Sequence, residues 1–138
     1  MKYKYYGVSP LNTQLKTIKR PMVMVEIFGN KRTKKMLALI DSGADVSMLN
    51  LGVAKMLDID LSKAERGKTI GITGVQETYI ATVEIKVEGQ AEKRKIPVRF
   101  IDSEYVDMLL GQEGFFDAYR IKFEKDHDTF EITPSRKK

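Results

Sequence analysis

The sequence predicts a mostly β fold, a small closed β-barrel with one or two short helices. Apolar residues alternate with polar residues in several short segments, and turn-forming residues separate these segments at hairpin distance. No long helical patterns lie between them, which favours strands joined by tight turns over a parallel sheet with crossover helices. A chain of 138 residues has room for one domain.

The first strands are predicted to follow an N-terminal arm. Residues 1–20 contain three tyrosines and a proline without a clear period, so this arm must pack on another part of the chain. Between Met22 and Phe28, Val23, Val25 and Ile27 alternate with Met24 and Glu26, and Gly29-Asn30 then provides a turn. Residues 35–40 resume the apolar pattern. This hairpin predicts that its second strand runs directly into Asp41.

The middle of the chain predicts a short helix, a glycine-rich hairpin and two further strands. Asn50 is a good N-cap for a helix over residues 51–57, and two nearby glycines suit the tip of a hairpin at residues 70–75. Alternation over residues 81–87 and 96–100 predicts a second hairpin, joined through Gly89-Gln90. Pro97 within its second strand favours an edge position or a bulge.

The C-terminal part predicts a helix over residues 112–118 and then a last hairpin, with Ile121 and Phe123 on one strand and Phe130 and Ile132 on the other. From these elements we predict three parts of the chain. They are an N-terminal arm (1–20), a folded domain (21–133) and a basic tail (134–138).

Composition argues against several classes of enzyme. The sequence has no cysteine and a single histidine, His127, in a polar run, so thiol catalysis, a serine triad and Cys or His metal sites are not expected. We therefore predict no metal and no cofactor. No run of 18 apolar residues occurs, and the N-terminus lacks the apolar stretch of a secretory signal. A cytoplasmic protein without a membrane partner is the resulting expectation.

The net charge of +5 does not by itself predict a nucleic-acid site. The basic residues cluster at 31–35, in a predicted turn, and at 136–138, at the chain end. Neither cluster has interleaved aromatic residues on which bases could stack. We interpret both clusters as solvated surface and expect no nucleic-acid partner.

The segment Asp41-Ser42-Gly43 carries the chemistry that the sequence predicts. An apolar strand delivers a carboxylate into a turn, where it can hold and deprotonate a water molecule, and the glycine lets a peptide backbone approach closely. Peptide hydrolysis by this route needs two carboxyl groups that share one proton. Asp102 and Asp128 also lie near strand ends, but neither is followed by a glycine two positions on. The second carboxylate is therefore expected from Asp41 of a second copy in a twofold homodimer.

Residues 40–49 resemble the active-site segment of retropepsins, in which an apolar residue precedes Asp, Thr or Ser, Gly, Ala and often a second Asp. The resemblance implies that Asp41 is catalytic and that Ser42 forms interlocked hydrogen bonds across a dimer. It implies that Gly43 contacts the substrate backbone and that Ala44 and Asp45 help to hold an extended peptide. Val46 stands where retroviral members often carry an acidic residue, so their substrate preferences are not carried over.

Two further segments extend the resemblance to residues 22–132. The segment Ile70-Gly71-Ile72-Thr73-Gly74 resembles the flap, the glycine-rich hairpin that closes over substrate in retropepsins. Leu109-Leu110-Gly111 resembles the second structural motif of the family, in which a strand passes close to the catalytic loop. Together with Asp107 and Met108, it is especially similar to the retroviral-protease-like domains of ubiquitin-shuttle proteins.

The function predicted on this basis is that of an aspartic endopeptidase, active as a homodimer on polypeptide substrates, with a water molecule activated by the two Asp41 carboxylates. One alternative is a non-catalytic module of the same fold that binds peptides or dimerises. Another is a basic, RNA-associated β-barrel, whose binding would depend strongly on salt.

Overall fold

The computed structural model describes residues 1–8, 17–71, 74–102 and 107–136, with side chains omitted at 69–71. A 3-10 turn spans Lys125–His127. The helices in these ranges are α1 (Leu51–Met56) and α2 (Phe115–Ala118). The strands are β1 (Lys2–Lys4), β2 (Tyr6–Val8), β3 (Ile18–Arg20), β4 (Met22–Phe28), β5 (Thr33–Ile40), β6 (Ser47–Asn50), β7 (Glu65–Gly71), β8 (Gly74–Val87), β9 (Arg94–Ile101), β10 (Met108–Leu110), β11 (Tyr119–Glu124) and β12 (Thr129–Pro134).

Strand pairing connects most of the chain into one large sheet. Its strand order is β4-β5-β10-β6-β9-β8-β7, and β4 also pairs with β8. The strands from β4 round to β8 therefore form a closed ring of pairings, while β7 continues the hairpin that β8 begins. The predicted mostly β fold with two short helices is confirmed.

The hydrophobic core fills the inside of this ring. Alternate residues of β4, namely Val23, Val25 and Ile27, are at most 1% exposed, while the residues between them are half-buried. Strands β8 and β9 follow the same period, as the alternation in the sequence predicts. Each such valine or isoleucine contributes roughly 1.5–3 kcal/mol through burial. The largest buried side chains of this core are Phe100, Phe115 and Phe130.

Helix α1 begins where the sequence predicts. Asn50 is in extended conformation, and its side-chain oxygen accepts a hydrogen bond from the backbone N–H of Gly52 at 2.9 Å. Helix α2 is shorter than the predicted span of 112–118. It begins only after Gly114, whose φ of 86° is not helical, and the carboxylate of Asp117 accepts the Gly114 N–H.

The prediction of an edge or a bulge at Pro97 is wrong. Strand β9 lies between β6 and β8, and its register with β8 continues through Thr82↔Pro97. Proline is tolerated there because β6 pairs with β9 only from Val98 onward. Within the part of the chain that the structure describes, no strand on that side needs a hydrogen bond from Pro97.

The start of the N-terminal arm packs on the C-terminal hairpin. Strand β1 pairs with β12, which pairs with β11, and these strands form a separate three-stranded sheet. The ring of Tyr3 stacks on Phe130 at a centroid distance of 5.4 Å, and Tyr5 meets the same ring edge-on at 5.6 Å. The side-chain amide of Gln90 donates to the Tyr3 hydroxyl at 3.1 Å, and burial raises the pKa of that hydroxyl. The division into arm, domain and tail stays a prediction.

Gly89→Ala is expected to loosen β1 from this position. Gly89 has a φ of 83°, where a side chain is strained by about 1–2 kcal/mol. A Cβ atom there would lie 2.3 Å from the Met1 sulfur and 2.8 Å from the Tyr3 hydroxyl. We expect the free energy of unfolding to fall by about 2 kcal/mol in urea titrations, with faster proteolysis near the N-terminus. Glu92→Ala, on the same turn, is the control, and an equal loss there would contradict this account.

Candidate active site

Asp41 lies directly after the last residue of β5, where the backbone is held by β10. The two strands run parallel, with Leu39 opposite Leu109 and Ile40 opposite Leu110. The backbone N–H of Asp41 then donates to the Leu110 carbonyl oxygen at 2.9 Å. The position of the Asp41 backbone is thus set by a strand that comes from the other end of the sequence.

The turn after Asp41 is organised by the Asp41 side chain itself. Its Oδ1 accepts a hydrogen bond from the Gly43 N–H at 2.9 Å, and the Asp41 carbonyl oxygen accepts one from the Ala44 N–H at 3.2 Å. A Cβ atom at Gly43 would lie 3.3 Å from Asp41 Oδ1, so a side chain would crowd the carboxylate. Asp41 is half-buried, and Ser42, Gly43 and Asp45 are exposed. The carboxylate is therefore oriented but still accessible.

The segment between β10 and α2 holds the loop of residues 41–46, which we call the Asp41 loop. The backbone N–H of Gln112 donates to the Ala44 carbonyl at 2.8 Å, and that of Glu113 donates to the Asp45 carbonyl at 2.9 Å. The side-chain amide of Gln112 donates to the Ser42 carbonyl at 2.7 Å. Glu113 forms a parallel bridge with Val46, and Gly114 has a φ of 86°, which is not helical, so α2 begins only after these residues.

Gly111 allows this close approach. A Cβ atom at this position would lie 2.7 Å from the Ala44 carbonyl oxygen and 2.8 Å from the carbonyl carbon and oxygen of Val46. These are backbone atoms, which cannot rotate away. The Gly111 N–H donates to the hydroxyl of Ser47, which is fully buried, at 3.0 Å. Leu110 is fully buried and Leu109 is half-buried, so this motif acts through packing.

Strands β7 and β8 form the glycine-rich hairpin that the sequence predicts. Their pairing runs from Glu65↔Ile80 to Gly71↔Gly74, and Gly74 has a φ of 120°. Ile72 and Thr73, at the predicted tip, lie outside the described residues, and the Ile70 side chain is likewise not described. Val75 follows the tip and is 64% exposed. The hairpin thus extends beyond the ring as an arm with an exposed apolar residue.

Comparison with known proteins identifies the family. The family model described as "Aspartyl protease" matches residues 23–113, which include the Asp41 loop, the hairpin and Gly111. The chain belongs to the aspartyl protease family. Among solved structures, the fold is similar to that of a retropepsin-like aspartic protease from Rickettsia conorii. The TM-score is 0.57 and the sequences are 18% identical, over 81% of this chain and 89% of that one. No curated protein gives a significant sequence match.

Two residues that hold the Asp41 loop of this aspartyl protease family member were not predicted from the sequence. Gln112 was interpreted only as the start of a helix, and Ser47 only as part of the motif around Asp41. The signal for Gln112 is its place directly after Leu-Leu-Gly, on a strand expected to pass the loop. Ser47 could have been suspected as a polar residue at an alternating position between apolar neighbours.

The other two aspartates named in the sequence have different surroundings. Asp128 lies in the turn between β11 and β12, in a left-handed conformation with a φ of 56°. Its carboxylate pairs with Lys19 at 2.5 Å, and this hydrogen bond lowers the pKa of Asp128. Asp102 follows the end of β9, and its carbonyl oxygen accepts a hydrogen bond from the Gln76 side chain. His127 is exposed beside Asp126 in the same polar turn as Asp128.

In residues 1–8, 17–71, 74–102 and 107–136, no group of three or more histidine, aspartate or glutamate side chains is arranged to hold a metal ion. Over the same ranges, no helix is long and apolar enough to cross a membrane.

Proposed function

We propose that the chain is an aspartic endopeptidase that acts as a homodimer and hydrolyses peptide bonds in polypeptides. The observation that carries the proposal is the oriented, accessible Asp41 carboxylate on a loop held by five hydrogen bonds. Four of them join the loop to Leu110, Gln112 and Glu113, and one runs from the Gly43 N–H to the carboxylate itself. Membership of the aspartyl protease family supports it. The described residues supply one such loop per chain, so the second carboxylate comes from Asp41 of a second copy.

The mechanism uses two carboxyl groups that share one proton. Close to each other, both cannot be ionised, so one carboxylate accepts a proton from a bound water molecule while the other group donates one to the scissile carbonyl. The reaction needs the shared proton, which favours activity on the acidic side of neutral. The water molecule attacks the carbonyl carbon, and the carboxyl group that took a proton from the water then passes it to the nitrogen as the tetrahedral intermediate releases the amine. No metal, cofactor or covalent intermediate is needed.

The residues around Asp41 bind and position the peptide. Ser42 hydrogen-bonds across the dimer axis, Gly43 lets the substrate backbone approach, and Ala44 and Asp45 hold the extended chain. The hairpin of β7 and β8, with the predicted contacts at 70–74, closes over the peptide and excludes bulk water. An extended peptide suits this site because its backbone can pair with a strand edge.

Four finer predictions belong to this proposal. The ring of strands is taken as the small closed barrel of the retropepsins, and the similarity to the domains of ubiquitin-shuttle proteins suggests a cellular role. The protein acts in the cytoplasm, and it acts without a nucleic-acid partner. The ring of pairings supports the first of these, and the composition of the sequence supports the last.

Dilution tests the homodimer and the enzyme together. Well below the dissociation constant of the dimer, the dimer concentration falls with the square of the chain concentration, so tenfold dilution should lower the cleavage rate by about a hundredfold. The measurement is release of fluorescent fragments from an unstructured protein such as casein over a wide range of enzyme concentrations. A rate that stays proportional to enzyme concentration down to the lowest measurable level would contradict an active site shared between two chains.

A further inference from the structure

We infer that the free edge of β11 binds β11 of a second copy in antiparallel pairing, about a twofold axis at Lys122. The two three-stranded terminal sheets would then join into one sheet of six strands. This inference rests on the proposed homodimer and names the surface through which it forms. Three observations on the terminal sheet support it.

The first observation is that β11 has an unpaired edge. In the sheet of order β1-β12-β11, β11 lies at one end, and no other strand of the described chain pairs with it. Such an edge exposes backbone N–H and C=O groups that can pair with another strand. The opposite edge is the three-residue β1, in which Lys2 and Lys4 are exposed. The edge at β1 offers only three residues for pairing, whereas β11 offers six.

The second observation is that burial decreases toward this edge on the apolar face of the sheet. Phe130 and Ile132 of β12 are 1% and 0% exposed. Their direct neighbours on β11 are Phe123 and Ile121. Phe123 is 42% exposed, and Ile121 is only half-buried. Among the described residues, the apolar face of the sheet thus continues to the edge of β11 and is partly exposed there, as expected where another strand adds to the sheet.

The third observation is that the sequence of β11 is complementary to itself in one register. A twofold axis perpendicular to the sheet keeps each face continuous, so the axis must pass through a residue. With the axis at Lys122, Ile121 faces Phe123 of the second copy and Arg120 faces Glu124 of the second copy, each twice. Apolar pairs and opposite charges across strands both stabilise a sheet, while Lys122 faces its own copy and already has Glu124 within 3.8 Å in its own chain.

The neighbouring registers are less favourable. With the axis at Ile121, Lys122 would face Arg120 of the second copy, which places like charges opposite each other. With the axis at Phe123, Ile121 would face Lys125 of the second copy, which leaves an apolar side chain opposite a charge. The register at Lys122 gives favourable partners to Arg120, Ile121, Phe123 and Glu124, and its one like-charge pair within β11 is Lys122 with its own copy.

Strand β11 also lies close along the chain to the segment that holds the Asp41 loop. Strand β11 begins directly after α2, which has four residues and follows the segment that clamps the loop through Gln112 and Glu113. One short helix, about 6 Å long, therefore joins the loop to the proposed interface. Pairing of the two β11 strands would fix the position of one Gln112–Glu113 segment relative to the other, and with them the relative position of the two Asp41 loops.

Charge exchange between two variants tests the inference. In Arg120→Glu homodimers, Glu would face Glu124, and in Glu124→Arg homodimers, Arg would face Arg120. Each variant alone should dimerise at least about tenfold more weakly than the wild-type chain in sedimentation velocity. An equimolar mixture places Glu opposite Arg at both positions, so it should recover the wild-type dimer. The double variant Arg120→Glu/Glu124→Arg should also dimerise like wild type.

Controls separate the interface from folding and from catalysis. Lys4→Glu reverses a charge on the other edge of the same sheet and should leave the dimer unchanged. Phe123→Ser provides a second, uncharged way to weaken the pairing, and thermal unfolding of each variant verifies that it folds. Sedimentation needs no activity, so a dimer that depends on β11 but does not cleave supports the inference while the proposed function fails. A dimer that withstands all β11 variants, or a chain that never dimerises, overturns the inference.

Discussion

Asp41→Asn is expected to lower kcat for peptide hydrolysis by about a thousandfold or more, because both carboxylates of the shared site are replaced at once. An amide cannot accept the proton of the attacking water at neutral or mildly acidic pH, nor can two amides share a proton. The fold should persist, since the side-chain oxygen of Asn can still accept the Gly43 N–H that Asp41 accepts at 2.9 Å. Cleavage of an unstructured protein and sedimentation velocity measure the two properties separately.

The matched control is Asp102→Asn, which removes a carboxylate that follows another strand. Only the backbone carbonyl of Asp102 has a described hydrogen bond, from Gln76, so this variant should keep wild-type activity. Equal loss of activity in both variants would indicate a general effect of charge. A wild-type chain that cleaves nothing between roughly pH 4 and 7, where such dyads work, would favour the non-catalytic peptide-binding module instead.

Gly111→Ala is expected to destabilise the fold by about 3 kcal/mol and to abolish activity. The added Cβ would lie 2.7 Å from the Ala44 carbonyl oxygen and 2.8 Å from two backbone atoms of Val46. Either the Asp41 loop or β10 must therefore move. Overpacking of this kind costs roughly 1–3 kcal/mol. The displacement would also strain the hydrogen bond from the Gly111 N–H to the buried Ser47 hydroxyl, which adds an unsatisfied buried group.

Urea unfolding of the Gly111→Ala variant gives the loss of stability, and cleavage assays at temperatures where it is folded give the effect on the site. Gly67→Ala serves as the control, because its Cβ would meet a side-chain atom, the Thr78 hydroxyl, at 3.2 Å and no backbone atom within that distance. We expect that control to change stability by less than about 1 kcal/mol. Similar losses in both variants would show that close backbone contact at Gly111 is not the cause.

The local elements of the fold could be predicted because their causes lie in neighbouring residues. Alternation from Met22 to Phe28 and the turn residues after it predict the hairpin of β4 and β5, and Asn50 predicts the start of α1 through its own side chain. The turn at Asp41 could be predicted for the same reason, since the hydrogen bond that the Gly43 N–H donates to the Asp41 carboxylate joins residues two positions apart.

The position predicted for Pro97 was wrong, and the helix predicted over residues 112–118 was too long. Both depend on strand pairings between distant segments. Helix α2 begins late because Glu113 forms a parallel bridge with Val46 and Gly114 is not helical, and local helix propensity does not include this distant partner. Pro97 sits in an inner strand because the neighbouring β6 starts its pairing one residue later. Neither position can be inferred from period or turn chemistry.

By itself, the sequence determined the strand-rich class of the fold, the hairpins and the Asp41-Ser42-Gly43 turn, because periodicity and turn chemistry act over a few residues. Only the tertiary structure decided that β10 lies between β5 and β6 and that Gly111, Gln112 and Ser47 hold the loop that carries Asp41. It also decided that β1 pairs with β12, so that β11 is the outer strand on the other side of this sheet within the described residues. These contacts join residues far apart in the chain, and they form only when burial of the whole core outweighs the entropy of closing such long loops.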